Sequence, residues 1–183
     1  MAGTVNIALA RHPESSAPAL SRVDARVLRT SEGVLEVAYT VEGDLDYVCL
    51  PEARPPRVGD RLWEHTCFEI FIARTGLRGY HEFNFAPSGE WAAYEFADYR
   101  QAAPGVAETF APQIVVHHTE GRFELEAVLQ LTRLSSDHAN AKLSLAVAAV
   151  IEDQGGALSY WALKHPPGKP DFHHADAFML TLQ

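Results

Sequence analysis

The chain has 183 residues, the size of one ordinary domain, and with 47% hydrophobic and 21% charged residues it has enough apolar material for a packed core. Fifteen basic residues against twenty-four acidic ones give a formal net charge of −9, with no cluster of Lys or Arg. Phosphate contacts supply most nucleic-acid affinity, so this balance argues against nucleic acid, and equally against an anionic membrane surface, as a partner.

The first residues, Met1 to His12, carry no basic start and no long apolar stretch before Pro13, and nowhere do 18 apolar residues run together. No export signal or membrane-spanning helix is predicted, and a cytoplasmic location is expected unless a leader was removed ahead of Met1. Apolar residues then recur with a period near two. The pattern predicts strands over 4–10, 23–30, 34–42, 45–50, 67–73, 80–86, 90–97, 113–119, 122–130, 143–152, 157–163 and 177–182. Turn-formers punctuate them, among them Ser31-Glu32-Gly33, Pro87-Ser88-Gly89 and Gln154-Gly155-Gly156. A short turn over Leu131–Leu134 is the best helix candidate. No repeat, low-complexity tract or linker divides residues 1–183, so the expectation is a single all-β domain, an antiparallel β-sandwich of jelly-roll type with about ten strands. Two cysteines, Cys49 and Cys67, are too few for a disulfide framework; they are either buried thiols or one bridge.

Within Leu62–Ile72, Glu69 is the only charge between Cys67 and Ala73. Such a run suggests a central strand covered on both faces, where a carboxylate must find hydrogen-bond partners, protonate or face a polar cleft. Two readings stay open. Glu69 lies on a solvated face or pairs with an arginine such as Arg74 or Arg100, or it is a binding-site carboxylate.

Further along, Tyr80–Phe85 alternates His81, Phe83 and Phe85 on one face with Tyr80, Glu82 and Asn84 on the other. A four-residue loop, Ala86–Gly89, would set Asn84 against Trp91 and gather Tyr80, Glu82, Asn84, Trp91 and Glu95 on one polar-aromatic face.

Trp63 followed six residues later by Glu69, then Glu-Phe-Asn-Phe-Ala-Pro-Ser-Gly-Glu-Trp ending at Trp91, resembles the DOMON-like superfamily and, within it, small bacterial DOMON-like proteins of unestablished function. That superfamily includes the family 9 carbohydrate-binding modules and haem-binding cytochrome domains. The resemblance spans most of the chain and is clearest over 61–100 and 151–174. It implies a β-sandwich with a ligand pocket at one end or on one concave face. By resemblance to the sugar-binding branch, Trp63 stacks on a pyranose face, Glu69 accepts from ring hydroxyls, and Trp161 or Phe172 supplies a second aromatic. The haem-binding branch uses methionine with histidine or lysine as axial ligands. Here the methionines are Met1 and Met179, the latter expected to be packed in the last strand, and nine histidines keep a single-His or bis-His haem conceivable.

The segment Tyr160–His174 is rich in proline, which favours an ordered extended loop, and its Lys164, His165, Asp171, His173 and His174 could converge on a ligand or a metal. The spacing matches no common metal motif. His12, His117, His118 and His138 read as solvated or structural. There is no Gly-x-Ser-x-Gly, phosphate-binding glycine loop or His-Glu-x-x-His. The resemblance, together with the polar-aromatic face, implies a non-catalytic domain binding a carbohydrate or similar small polar ligand, without cofactor. The contact residues would be Trp63, Glu69, Tyr80, Glu82, Asn84, Trp91, Trp161, Lys164, His165, Asp171 and His174. The alternatives are a haem-binding cytochrome-type domain or a glycan-active enzyme drawing on Glu69, Glu82 and Glu95.

Overall fold

The period-two pattern becomes two facing sheets in a computed structural model that describes residues 3–15, 19–103 and 108–183. The strands are β1 (Gly3–Ala8), β2 (Ala10–Arg11), β3 (Leu20–Arg29), β4 (Val34–Gly43), β5 (Arg57–Val58), β6 (Cys67–Arg74) and β7 (Tyr80–Phe85). There follow β8 (Glu90–Asp98), β9 (Gln101–Ala102), β10 (Gln113–Thr119), β11 (Arg122–Gln130), β12 (Leu143–Glu152), β13 (Leu158–Ala162) and β14 (Leu180–Leu182). One sheet runs β1-β3-β4-β11-β10. The other runs β2-β13-β12-β6-β7-β8-β5, with β14 beside β12 and β9 beside β8. Pairing is antiparallel except for the short β5–β8 contact. The sandwich is as expected, with fourteen strands rather than about ten because three of them are only two residues long.

Alternation decides which side chains fill the space between the sheets. From β6 these are Phe68, Ile70 and Ile72, which meet Tyr39, Phe123 and Leu125 of the facing sheet. Phe68 stacks on Phe123 with ring centroids 5.5 Å apart. Residues 45–50 do not form the expected strand. Leu45–Tyr47 is a 3-10 turn, and only Val48 makes a bridge, to Asp153. Cys49 and Cys67 are both free thiols.

The β7–β8 hairpin departs from the expected register by one residue. Phe85 faces Trp91, Asn84 faces Ala92, Glu82 faces Tyr94 and Tyr80 faces Phe96. The cause is the loop. Ala86 N–H donates to the Glu90 carbonyl at 2.8 Å, so the connection is Pro87-Ser88-Gly89, with Gly89 at a φ of 88°. A three-residue hairpin with a left-handed glycine is shorter than the four-residue loop expected, and a one-residue slip turns every side chain of the second strand over. Trp91 consequently points into the inter-sheet core, and Tyr94 and Phe96 take its place beside Glu82. A Cβ on Gly89 would lie 2.5 Å from the Arg54 carbonyl oxygen. Gly89→Ala is expected to cost about 1–3 kcal/mol in denaturant unfolding, the usual size for a non-glycine residue forced into strain.

β12 explains what covers the outer face of the larger sheet. Along one edge it pairs β6 over Leu143–Val150; along the other it pairs β14 at Leu143–Leu145 and β13 at Ala148–Glu152. The chain leaves that edge at Ala162 and returns at Leu180, and residues 163–179 cross the sheet in between. Phe172, Ala177 and Phe178 from this crossing pack on Phe71, Ala73, Tyr80 and Ala146. Strand β6 is therefore buried on both faces, as its apolar run predicts.

At one end of the sandwich, His81 and His138 are buried with ring centroids 5.0 Å apart, and His81 Nδ1 has no hydrogen-bond partner among the described residues. Burial lowers both to about 4 from an ordinary 6.5; at His138 a charge on His81 would push the same way. The fold favours the neutral rings, a contribution complete above pH 6.5 and lost as pH falls through 4. His81→Leu is accordingly expected to gain stability relative to the unmodified protein as pH drops from 6.5 to 4, measured by urea unfolding; a pH-independent difference would contradict this.

Candidate functional site: an acidic cleft with aromatic walls

The outward side of β6 carries Glu69 at the middle of the sheet, opposite Ala148 of β12 and Asn84 of β7. A small residue on one side leaves room above the carboxyl. Glu82 lies on the same outer face of β7, diagonal to Glu69 because its own partner on β6 is Phe71. Over these residues stand the 3-10 turn Leu62–Glu64, which presents Trp63, and the crossing segment, which presents Pro170, Phe172 and His173. Together they enclose a cleft of about 440 Å³, whose further walls are Tyr94, Phe96, Arg100 and Tyr160. Trp63 is 40% exposed at its rim, edge-on to Tyr94 with centroids 5.7 Å apart, whereas Glu69 is 3% exposed and Glu82 4%.

The two carboxyls are placed differently. Glu82 Oε1 accepts from Asn84 Nδ2 at 2.8 Å, and Glu82 Oε2 lies 3.6 Å from His173 Nε2. Glu69 receives no hydrogen bond on its carboxyl from any described residue. Burial pushes Glu69 well above the usual carboxylate range, the Glu82 charge adds to this, and Arg100 opposes it. Glu82 is raised to about 7 by burial, against the Asn84 hydrogen bond and Arg100.

One side of the cleft is built by polar contacts. Asp171 accepts from Arg100 Nη2 at 2.8 Å, from the Tyr99 hydroxyl at 2.7 Å and from the His173 backbone N–H at 3.1 Å. Arg100 has a φ of 53°, and its backbone N–H donates to the Tyr80 hydroxyl at 3.2 Å. That leaves the tyrosine proton for His173 Nδ1, 2.8 Å away. His173 is lowered to about 4, by burial first and Arg100 second, so its ring is neutral at pH 7. With Nδ1 accepting, the ring proton sits on Nε2, toward Glu82.

The structure thus brings Trp63, Glu69 and Glu82 into one hollow, with Asn84, Tyr80 and Asp171 supporting it from behind. The other expected contacts lie elsewhere. Trp91 and Trp161 are in the inter-sheet core, Trp161 donating its Nε1–H to Ser159 Oγ at 3.0 Å. Neighbours on a strand face opposite ways, so Tyr160 takes the cleft position expected of Trp161, and Phe172 is the aromatic from the crossing segment. Lys164 is exposed and outside the cleft. His165 anchors its loop, with Nε2 2.8 Å from the Ala10 carbonyl oxygen. His174 caps the 3-10 turn at Ala175–Ala177 and lines a neighbouring hollow with Tyr99 and Phe178. Glu95 is exposed and on the opposite side of β8 from Tyr94. His173 is one of the residues expected to converge from the Tyr160–His174 segment, whereas Arg100 was expected only as a possible ion-pair partner of Glu69; a left-handed arginine after a strand leaves no pattern to read.

These residues do not fit a haem axial pair. Met179 is 55% exposed and outside the strand in which it was expected to pack, Met1 lies outside the described residues, and the cleft's His173 already engages Tyr80. Among the described residues, no group of three or more His, Cys, Asp or Glu side chains is placed to hold a metal ion.

No protein-family model and no curated protein matches the chain. Among solved structures it is similar to a "putative carbohydrate-binding protein" from Bacteroides uniformis, with a TM-score of 0.68, 15% identity, and coverage of 96% of this chain and 84% of that one. At that identity the likeness establishes a shared fold.

Proposed function

We propose that this is a non-catalytic, DOMON-like ligand-binding domain that takes a carbohydrate or similar small polar molecule in the cleft between Trp63 and the Glu69–Glu82 pair. One observation carries the reading: a half-exposed indole at the rim and two buried carboxyls on the floor share a single cavity of about 440 Å³. That volume lies within the usual range for small-ligand pockets. The apolar C–H face of a pyranose covers an aromatic ring, and carboxyl oxygens accept from its hydroxyls. The fold shared with the Bacteroides uniformis protein supports the same direction.

Among the described residues no helix is long and apolar enough to cross a membrane, and a cytoplasmic location remains part of the proposal. Isothermal calorimetry against a panel of mono- and oligosaccharides tests the function. Saturable heat with at least one sugar in the millimolar range or tighter is expected, and a panel with no binding contradicts the assignment.

A glycan-active enzyme is a second reading, favoured by the two acids with raised proton affinity in one cleft. Glycoside hydrolysis places its two carboxyls on either side of the scissile bond. Glu69 and Glu82 instead project from neighbouring strands of one floor, which favours binding. Turnover of aryl glycosides, abolished by Glu69→Gln, would reverse that preference.

A further inference from the structure

We infer that the cleft selects a sugar bearing a protonated amine, with the ammonium seated between Glu69 and Glu82. This rests on the carbohydrate reading above and narrows it to amino sugars.

Apart from the proton that the Glu69–Glu82 pair retains, the floor is rich in acceptors and poor in donors. Glu69 is almost fully buried and its carboxyl receives no donor from the described residues. Glu82 has one firm donor, Asn84 Nδ2, on Oε1. Asn84 is fully buried, and with its amide turned to Glu82 its Oδ1 has no partner among the described residues. Buried polar atoms are rarely left in this state without a ligand or water to satisfy them. A neutral sugar hydroxyl brings one proton to such a floor; an ammonium brings three, together with the charge.

The charges point the same way. Arg100 is the cation lining the cleft, and its guanidinium is held by Asp171 and Tyr99. Asp171 therefore balances Arg100, and no side chain among the described residues is bonded to Glu69 as a cation, so the pair keeps a proton that a bound ammonium would displace. The walls suit an organic cation, since Trp63, Tyr94, Phe96, Tyr160 and Phe172 offer ring faces that attract ammonium groups. They suit a hard metal ion poorly, because it would require a shell of oxygen ligands that aromatic walls cannot supply. A uronic acid would bring a further negative charge beside Glu82 and no ammonium to replace the proton that the pair retains. The chain's net charge of −9 favours the approach of cations over anions.

Calorimetry at pH 7 with glucosamine, N-acetylglucosamine, glucose and glucuronate tests the inference on the unmodified protein. Glucosamine is expected to bind about tenfold or more tightly than glucose, the gain usual for a charge-assisted hydrogen bond. N-acetylglucosamine, whose nitrogen is uncharged, should lose that advantage, and glucuronate should not bind. In the double variant Glu69→Gln/Glu82→Gln, checked for folding by its thermal transition, the preference for glucosamine should shrink to about twofold or less. Equal affinity for glucosamine and glucose would overturn the amino-sugar inference while leaving carbohydrate binding intact. Absence of binding by every sugar would overturn the carbohydrate reading itself.

Discussion

At pH 8, Glu82→Gln is expected to stabilise the protein by about 3 kcal/mol, whereas at pH 4 it should change stability little. A carboxyl ordinarily titrating at 4.5 is held near 7 by burial, so the fold favours its protonated form. That contribution is complete below pH 4.5 and is lost as pH rises through 7. Every tenfold gain in proton affinity on folding corresponds to about 1.4 kcal/mol, which sets the size of the effect. Glutamine keeps the acceptor for Asn84 and removes the charge. Glu69→Gln should act in the same direction, because burial and the Glu82 charge both raise its proton affinity. Urea unfolding of wild type and variants at both pH values measures this. An equal effect at pH 4 and pH 8 would show that Glu82 is not under strain as an anion. The same substitutions should weaken ligand binding, so stability and function would pull apart at these two residues, as binding sites commonly show.

Trp63→Ala is expected to weaken sugar binding about 10- to 100-fold while lowering folding stability by no more than about 1 kcal/mol. The indole stands on a short 3-10 turn, 40% exposed, with Tyr94 as its aromatic neighbour. Little packing is lost when it is removed. Trp91→Ala supplies the contrast, since that ring is buried among Phe83, Phe85 and Ala93 and its loss should cost about 3–5 kcal/mol. Calorimetry for affinity and denaturant unfolding for stability separate the two. A loss of several kcal/mol in folding from Trp63→Ala would identify it as a structural residue.

Much of the architecture is legible in the sequence, because inward and outward positions alternate without interruption over most strands. Glu69 stands out in its strand for the same reason, as one charge in an apolar run with little reason to be there unless something meets it. What alternation does not supply is the absolute facing of a strand. The turn Pro87-Ser88-Gly89 needed one residue fewer than a four-residue loop, and that alone moved Trp91 to the core and Tyr94 to the cleft. Tyr160 and Trp161 exchange roles for a similar reason. The crossing of residues 163–179 was less accessible still. It depends on β13 and β14 sharing one edge of β12, a long-range pairing with no local signature, and it is what brings Phe172 and His173 over Glu82. Arg100 reaches the cleft through a backbone conformation that its residue type does not announce.

The three tryptophans allow a direct test of where ligand sits. Trp91 and Trp161 are buried at 4% and 8% exposure, so a polar quencher such as acrylamide reads Trp63 almost alone. Titrating a sugar that binds by calorimetry should shield tryptophan emission from acrylamide, saturate at the calorimetric Kd, and leave no shielding to find in Trp63→Ala. Saturable binding with quenching unchanged would place the ligand away from this cleft.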